Sequence, residues 1–244
     1  TVVQVTAVTT PTNDNTPNYT FSTNEAGTIT YGGSCSSSTT SVIAGSNTIT
    51  LNSLSDGTYS NCTITVIDNA SNSVTLNIRS FVIDTTPPTV SSISQTDNST
   101  GVSVSTTVEV TFSEAMSTST ITTNTDNTTC SGSFQLSSDN FTTCIKMSAA
   151  PSASNSDKTF TSTPADNLSG LTTHKFQITT SVTDTSNNSL SSSYTTTSGF
   201  ITYAAGTIEG SVKKANGDAL SDVLISFSGS SEGSTTTDSS GDFS

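Results

Sequence analysis

The chain has 244 residues with six Lys and Arg against nineteen Asp and Glu, a formal charge of -13, and serine and threonine make up about two fifths of it. An acidic surface of this kind repels phosphate backbones and anionic lipid, which excludes nucleic-acid binding, and no apolar run approaches the roughly 18 residues of a membrane span. With 10% charged and 30% hydrophobic residues the composition also fits a disordered tract, but the sparse apolar residues keep a strict period of two, which a solvated coil has no reason to maintain.

Four cysteines, no C-x-x-C pair and a single histidine argue against a zinc site and for two disulfides, hence for an oxidising, extracellular or cell-surface compartment. The opening Thr1-Val2-Val3-Gln4 lacks the basic start and apolar core of a signal peptide. Three pairings of four cysteines are open; Cys35 with Cys62 and Cys130 with Cys144 keep each bridge inside one module, as independently folding domains require.

In the first stretch Ile49 and Leu51, then Cys62, Ile64 and Val66, then Val74, Leu76 and Ile78 alternate with small polar residues, as strands with one buried face do. Gly32-Gly33, Asp56-Gly57 and the cluster from Asn69 to Asn72 supply turns between them, so several short antiparallel strands in an all-β sandwich are expected. Phe81-Val82-Ile83-Asp84 then meets Thr85-Thr86-Pro87-Pro88. Two prolines withhold two backbone donors and force extended geometry, so neither ladder nor helix crosses them, and the stretch reads as a short stiff domain boundary.

After the boundary Val102, Val104, Val108, Val110 and Phe112 fall on one parity, and the segment from Cys130 through Phe134, Leu136 and Phe141 to Cys144 reads as a disulfide-closed hairpin. Val66-x-Asp68-x-x-x-Asn72-Ser73-Val74 recurs as Val182-x-Asp184-x-x-x-Asn188-Ser189-Leu190, a tight turn in which Asp accepts backbone N–H groups. A softer joint is expected at Tyr203-Ala204-Ala205-Gly206-Thr207, which gives three modules over 1–86, 87–203 and 206–244, the last incomplete.

Three resemblances attach to these stretches. Asp14 to Phe21, Glu25 to Tyr31, Leu54 to Tyr59 and Val66 to Asp68 closely resemble a bacterial Ig-like repeat of surface proteins. Phe112-Ser113-Glu114-Ala115-Met116, Thr159 to Pro164 and Leu171 to Asp184 are similar to the S-layer-type (SbsA-like) Ig-like family. Gly206 to Val212, Gly217-Asp218-Ala219-Leu220, Val223 to Phe227 and Thr237 to Phe243 resemble a carboxypeptidase regulatory-like domain, which implies a partial transthyretin-like β-sandwich at the C-terminus and brings no catalytic residue with it. Tandem Ig-like antiparallel sandwiches in series are the fold this implies.

No catalytic constellation accompanies the pattern. His174 shares parity with Phe176, Ile178 and Val182 and is expected in the core, and no G-x-S-x-G, H-E-x-x-H or phosphate-cradling glycine loop occurs. Sequons such as those at Asn18 and Asn98 are expected by chance in so Ser/Thr-rich a chain. Calcium is the cofactor the residues suggest, if any, because Asp14, Asp68, Asp84 and Asp184 are hard oxygen donors at turns and at the joint, though no complete ligand spacing is present. The expected role is a non-catalytic structural or adhesive stalk, its partner a surface protein or glycan, set against an accessory spacer of a secreted enzyme or a carbohydrate-binding module. The absence of Trp weighs against the last, since sugar platforms are usually aromatic.

Overall fold

The computed structural model describes residues 1–203, 210–228 and 233–243, and the described residues form antiparallel sheets with no α-helix among them. The first sandwich uses β1 (Val2–Thr6), β2 (Asn18–Thr23), β3 (Gly27–Gly32), β4 (Ser41–Val42), β5 (Gly45–Thr50), β6 (Gly57–Tyr59), β7 (Thr63–Asp68), β8 (Ser73–Asn77) and β9 (Phe81–Ile83). They assemble as β1-β2-β5, β4-β3-β7-β8 and the pair β6-β9. The period of two does the work: β2 buries Tyr19 and Phe21, β7 buries Ile64 and Val66, and these meet Ile49, Leu51, Phe81 and Ile83 in one core. Each of these large apolar side chains contributes about 1.5–3 kcal/mol on leaving water, so a few such residues per strand suffice in a chain this polar.

The bridge from Cys35 to Cys62 lies at the end of the β3–β7 ladder, just beyond the pair Gly32 and Thr63. It therefore closes two neighbouring strands of one sheet, unlike the inter-sheet bridge of antibody domains. Tyr59 donates to the Ser55 carbonyl at 2.8 Å and its ring stacks on Phe81 with centroids 5.3 Å apart, so this corner is tied to β9 and to the start of the linker.

The second sandwich uses β10 (Val90–Ile93), β11 (Val108–Phe112), β12 (Phe134–Ser137), β13 (Ser152–Ser154), β14 (Thr159–Ser162), β15 (Thr173–Ile178), β16 (Tyr194–Thr195) and β17 (Phe200–Ile201). One sheet runs β10-β11-β14-β13; the other runs β12-β15-β16, with β17 also paired to β15. Val108, Val110, Phe112 and Phe160 from the first sheet face a core shared with Phe134, Leu136, Phe176 and Ile178 from the second. Edge-to-face ring pairs, Phe134 with Phe176 at 4.5 Å and Phe112 with Phe160 at 6.0 Å, pack within each layer.

Beyond residue 209, β18 (Gly210–Ser211) pairs with β21 (Asp242–Phe243), and β19 (Leu224–Phe227) pairs with β20 (Gly233–Thr236). Neither apolar core extends into this part: Leu224 stays 65% exposed. The softer joint expected at Tyr203 to Thr207 falls largely on residues 204–209, outside the described residues.

Three local expectations are corrected. Val102 to Phe112 is not one strand, because Ser103 and Thr106 close a turn through Thr106 N–H to the Ser103 carbonyl (3.1 Å), and only Val108–Phe112 runs as a ladder. The segment from Cys130 to Cys144 is no added hairpin: β12 pairs with β15, buries Phe134 and Leu136 completely, and so forms part of the core. The Cys130–Cys144 bridge then fastens that strand and the loop that follows it. Finally, Val74 is 42% exposed where alternation placed it inside, because β8 is an edge strand at the pole of the sandwich.

Candidate functional site at the joint

The linker after β9 is held from both sides. Asp84 N–H donates to the Thr12 carbonyl (3.0 Å), and the Asp56 carboxylate, in the turn before β6, accepts from Thr85 N–H (2.8 Å), the Thr85 hydroxyl (2.8 Å) and the Thr86 hydroxyl (2.6 Å). These donors, Thr86 foremost, hold the Asp56 carboxyl below the usual carboxylate range. From the second sandwich the Ser186 hydroxyl donates to the Asp84 carboxylate (2.9 Å) and the Asn188 side-chain amide to the Asp84 carbonyl (2.8 Å), while Asn13 of the first sandwich reaches the Asn187 carbonyl (2.9 Å). Pro88 is buried in this contact, so the stiff tether suggested by the two prolines is also a packed one.

The receiving element is the turn after Val182. Asp184, 1% exposed, accepts from Ser186 N–H, Asn188 N–H and the Asn188 side-chain amide, all at 2.8 Å, and Asn187 takes the left-handed conformation at φ 73°. This self-capped turn presents the Asn188 amide and the Ser186 hydroxyl toward Asp84.

Carboxylate oxygens of Asp84, Glu114 and Asp184 all lie within 4.8 Å of one another. Burial, then the charges of Asp84 and Asp184, push the Glu114 carboxyl up, with Lys158 and Ser113 opposing. Among the described residues these three hard oxygen donors, from the linker, the β11 end and the turn, are the carboxylate group close enough together to offer a site to a divalent cation of the calcium type. Of the four aspartates suggested by sequence, the fold brings Asp84 and Asp184 together and leaves two apart. Asp14 caps its own loop through Thr16 N–H (2.9 Å), and Asp68 caps the turn to Asn72 at the far pole of the first sandwich. Nothing in the local sequence of Glu114 shows that residues 30 positions upstream and 70 downstream converge on it.

His174 is fully buried on β15, its Nδ1 3.0 Å from the Thr172 carbonyl and its ring 5.5 Å from that of Phe200. Nε2 has no hydrogen-bond partner, and burial holds the imidazole below its ordinary pKa. Among the described residues no nucleophile or carboxylate bonds to it, and its ring packs on Phe200.

Residues 84–203 match the model of a family described as bacterial Ig-like domain, a match that begins at Asp84 itself. Among solved structures the chain is similar to the crystal structure of the S-layer protein rSbsC at 18% identity and a TM-score of 0.35, over 62% of this chain. The chain spans 19% of that protein's length. No curated protein matches the chain.

Proposed function

We propose that this chain, whose residues 84–203 match the model of a bacterial Ig-like domain family, is a non-catalytic structural segment, a stalk, of a bacterial cell-surface or secreted protein. The observation that carries the reading is the joint: a linker between two sandwiches would swing freely if it were only a tether, whereas here Asp84 is bonded on one side to Thr12 and on the other to Ser186 and Asn188. A joint that resists bending is what a spacer needs and what a solitary ligand-binding module does not.

Two further features support it. Disulfides within each sandwich suit an oxidising compartment and offset the thin, serine-rich cores. The one imidazole is fully buried on β15, stacked on its ladder partner Phe200 of β17.

Small-angle scattering on the chain tests the reading. The expected particle is elongated, with the first two sandwiches in line and a maximum dimension well above that of a globule of this mass; a compact particle refutes it. A glycan array run beside it is expected to show no saturable binding, and a micromolar hit would replace the stalk with a carbohydrate-binding module.

A further inference from the structure

The two sandwiches carry the same pole, but only one of the two is covered. Asp184 pairs with Met116 as Asp68 pairs with Gly27, so Glu114 and Glu25 each stand two residues before the partner of the turn aspartate. Asp184 N–H donates to the Asn188 carbonyl at 3.0 Å, and Asp68 N–H to the Asn72 carbonyl at 3.0 Å. The positive-φ residue is Asn187 in one turn and Ser71 in the other. The incoming strand is equivalent too: Ser113 N–H donates to the Thr89 carbonyl (2.9 Å) and Asn24 N–H to the Thr1 carbonyl (3.3 Å), which sets Thr1 in the place of Thr89.

In the second sandwich this pole is the receptor for the linker. Asn188 is 8% exposed and Leu190 5% exposed beneath it. In the first sandwich the counterparts are open: Asn72 is exposed and Val74 is 42% exposed. The Asn72 side-chain amide spends one N–H on Asp68 (2.8 Å), and its second, which in Asn188 holds the linker carbonyl, has no partner among the described residues. Beside it lies a recess of about 240 Å³ lined by residues that include Val2, Glu25, Val66, Asp68 and Val74.

We infer that the pole formed by Glu25, Asp68, Asn72 and Val74 is a docking surface, and that its occupant is the C-terminal end of another Ig-like module carried on a linker of the Asp84–Thr89 kind. The argument is the observed joint itself, repeated one module earlier. Asn72 would hold a backbone carbonyl five residues ahead of the Thr1 position, as Asn188 holds that of Asp84 five residues ahead of Thr89, and the Ser71 carbonyl would receive a donor as Asn187 receives Asn13. One contact is not reproduced. Ala70 stands where Ser186 is, so the occupant's side chain at the Asp84 place loses its hydroxyl partner, and the backbone carbonyl and the apolar cover over Val74 carry the docking.

This deepens the reading of the chain as a segment of modules in series and rests on it. The test is a fusion of residues 1–88 ahead of Thr1 of the whole chain, which restores the register Pro88-Thr1 in place of Pro88-Thr89. Residual dipolar couplings are measured on the appended module and on the original first sandwich, each labelled separately. The expected result is one shared alignment tensor across the new joint. Asn72→Ala and Val74→Glu, introduced singly in the original first sandwich, should each split it into two. Val74→Glu leaves the Asp68 turn untouched, so a loss there cannot be put down to a melted turn. Independent tensors in the unmutated fusion, or a shared tensor that survives both substitutions, overturns the inference. The scattering test of the stalk uses the unfused chain, so either result stands without the other.

Discussion

Asp68 and Asp184 offer a matched experiment, since they make the same three hydrogen bonds in two different environments. Asp68 accepts from Ala70 N–H (2.8 Å), Asn72 N–H (2.9 Å) and the Asn72 amide (2.8 Å); Asp184 accepts from the equivalent groups of Ser186 and Asn188, all at 2.8 Å. Alanine at either place removes the same bonds. At the Asp68 turn, where residues 69–72 are exposed, water takes over the freed donors, and the expected cost is small. At Asp184, which is 1% exposed, two backbone N–H groups are left in a dry contact, each worth about 1–3 kcal/mol unsatisfied. Relief of repulsion with Glu114 and Asp84 returns a fraction of that, so the net expected loss is roughly 2–4 kcal/mol, a fall of about 10 °C in the melting temperature of the second sandwich. Because a chain of several modules does not melt in two states, the measurement is hydrogen exchange of amides in β7 and in β15, which reads each sandwich separately. Equal losses for Asp68→Ala and Asp184→Ala would refute the argument, because burial at the joint would then contribute nothing.

Three further outcomes are expected. Replacing Cys130 and Cys144 by alanine, a closure of 14 residues, should destabilise the second sandwich by about 3 kcal/mol on the chain-entropy model, and Cys35 with Cys62, 27 apart, the first by about 3.5 kcal/mol; hydrogen exchange in β15 and β7 showing less than about 1 kcal/mol for either would count against it. Glu114→Gln should stabilise the second sandwich at neutral pH. The Glu114 carboxyl is raised in the folded state, so its favourable contribution is complete below the unfolded carboxylate range and is lost as pH rises through the folded value; the advantage of the glutamine should vanish in acid, and a difference that persists there refutes the cause. Calcium titration of the same pair reads cation binding: chelation by Asp84, Glu114 and Asp184 would stabilise the wild type and leave the glutamine variant unmoved. His174 titrates lower folded than unfolded, so its protonation favours unfolding once pH falls below about 6.5, and His174→Phe should flatten the loss of stability between pH 7 and 5; parallel profiles would show that the imidazole is not the group responsible.

The strands were legible from sequence because a solvent-backed sheet imposes a period of two: Ile64 and Val66, or Phe176 and Ile178, declare their inward face without reference to anything else. The prolines at 87 and 88 mark an extended stretch for the same local reason, and cysteine arithmetic within modules led to the pairs Cys35–Cys62 and Cys130–Cys144 that the structure contains. What lay beyond local rules was decided by the fold. Phe134 and Leu136 read equally well as a hairpin and as a core strand, and only pairing with β15 settles which. Val74 and Leu190 occupy the same place in the same motif, yet one is exposed and the other buried, because burial depends on whether a linker lies across that pole. Asp68 and Asp184 share the Val-x-Asp-x-x-x-Asn-Ser motif, and only the convergence of Asp84 and Glu114, from positions tens of residues away, makes one of them part of an acidic joint and leaves the other a turn cap.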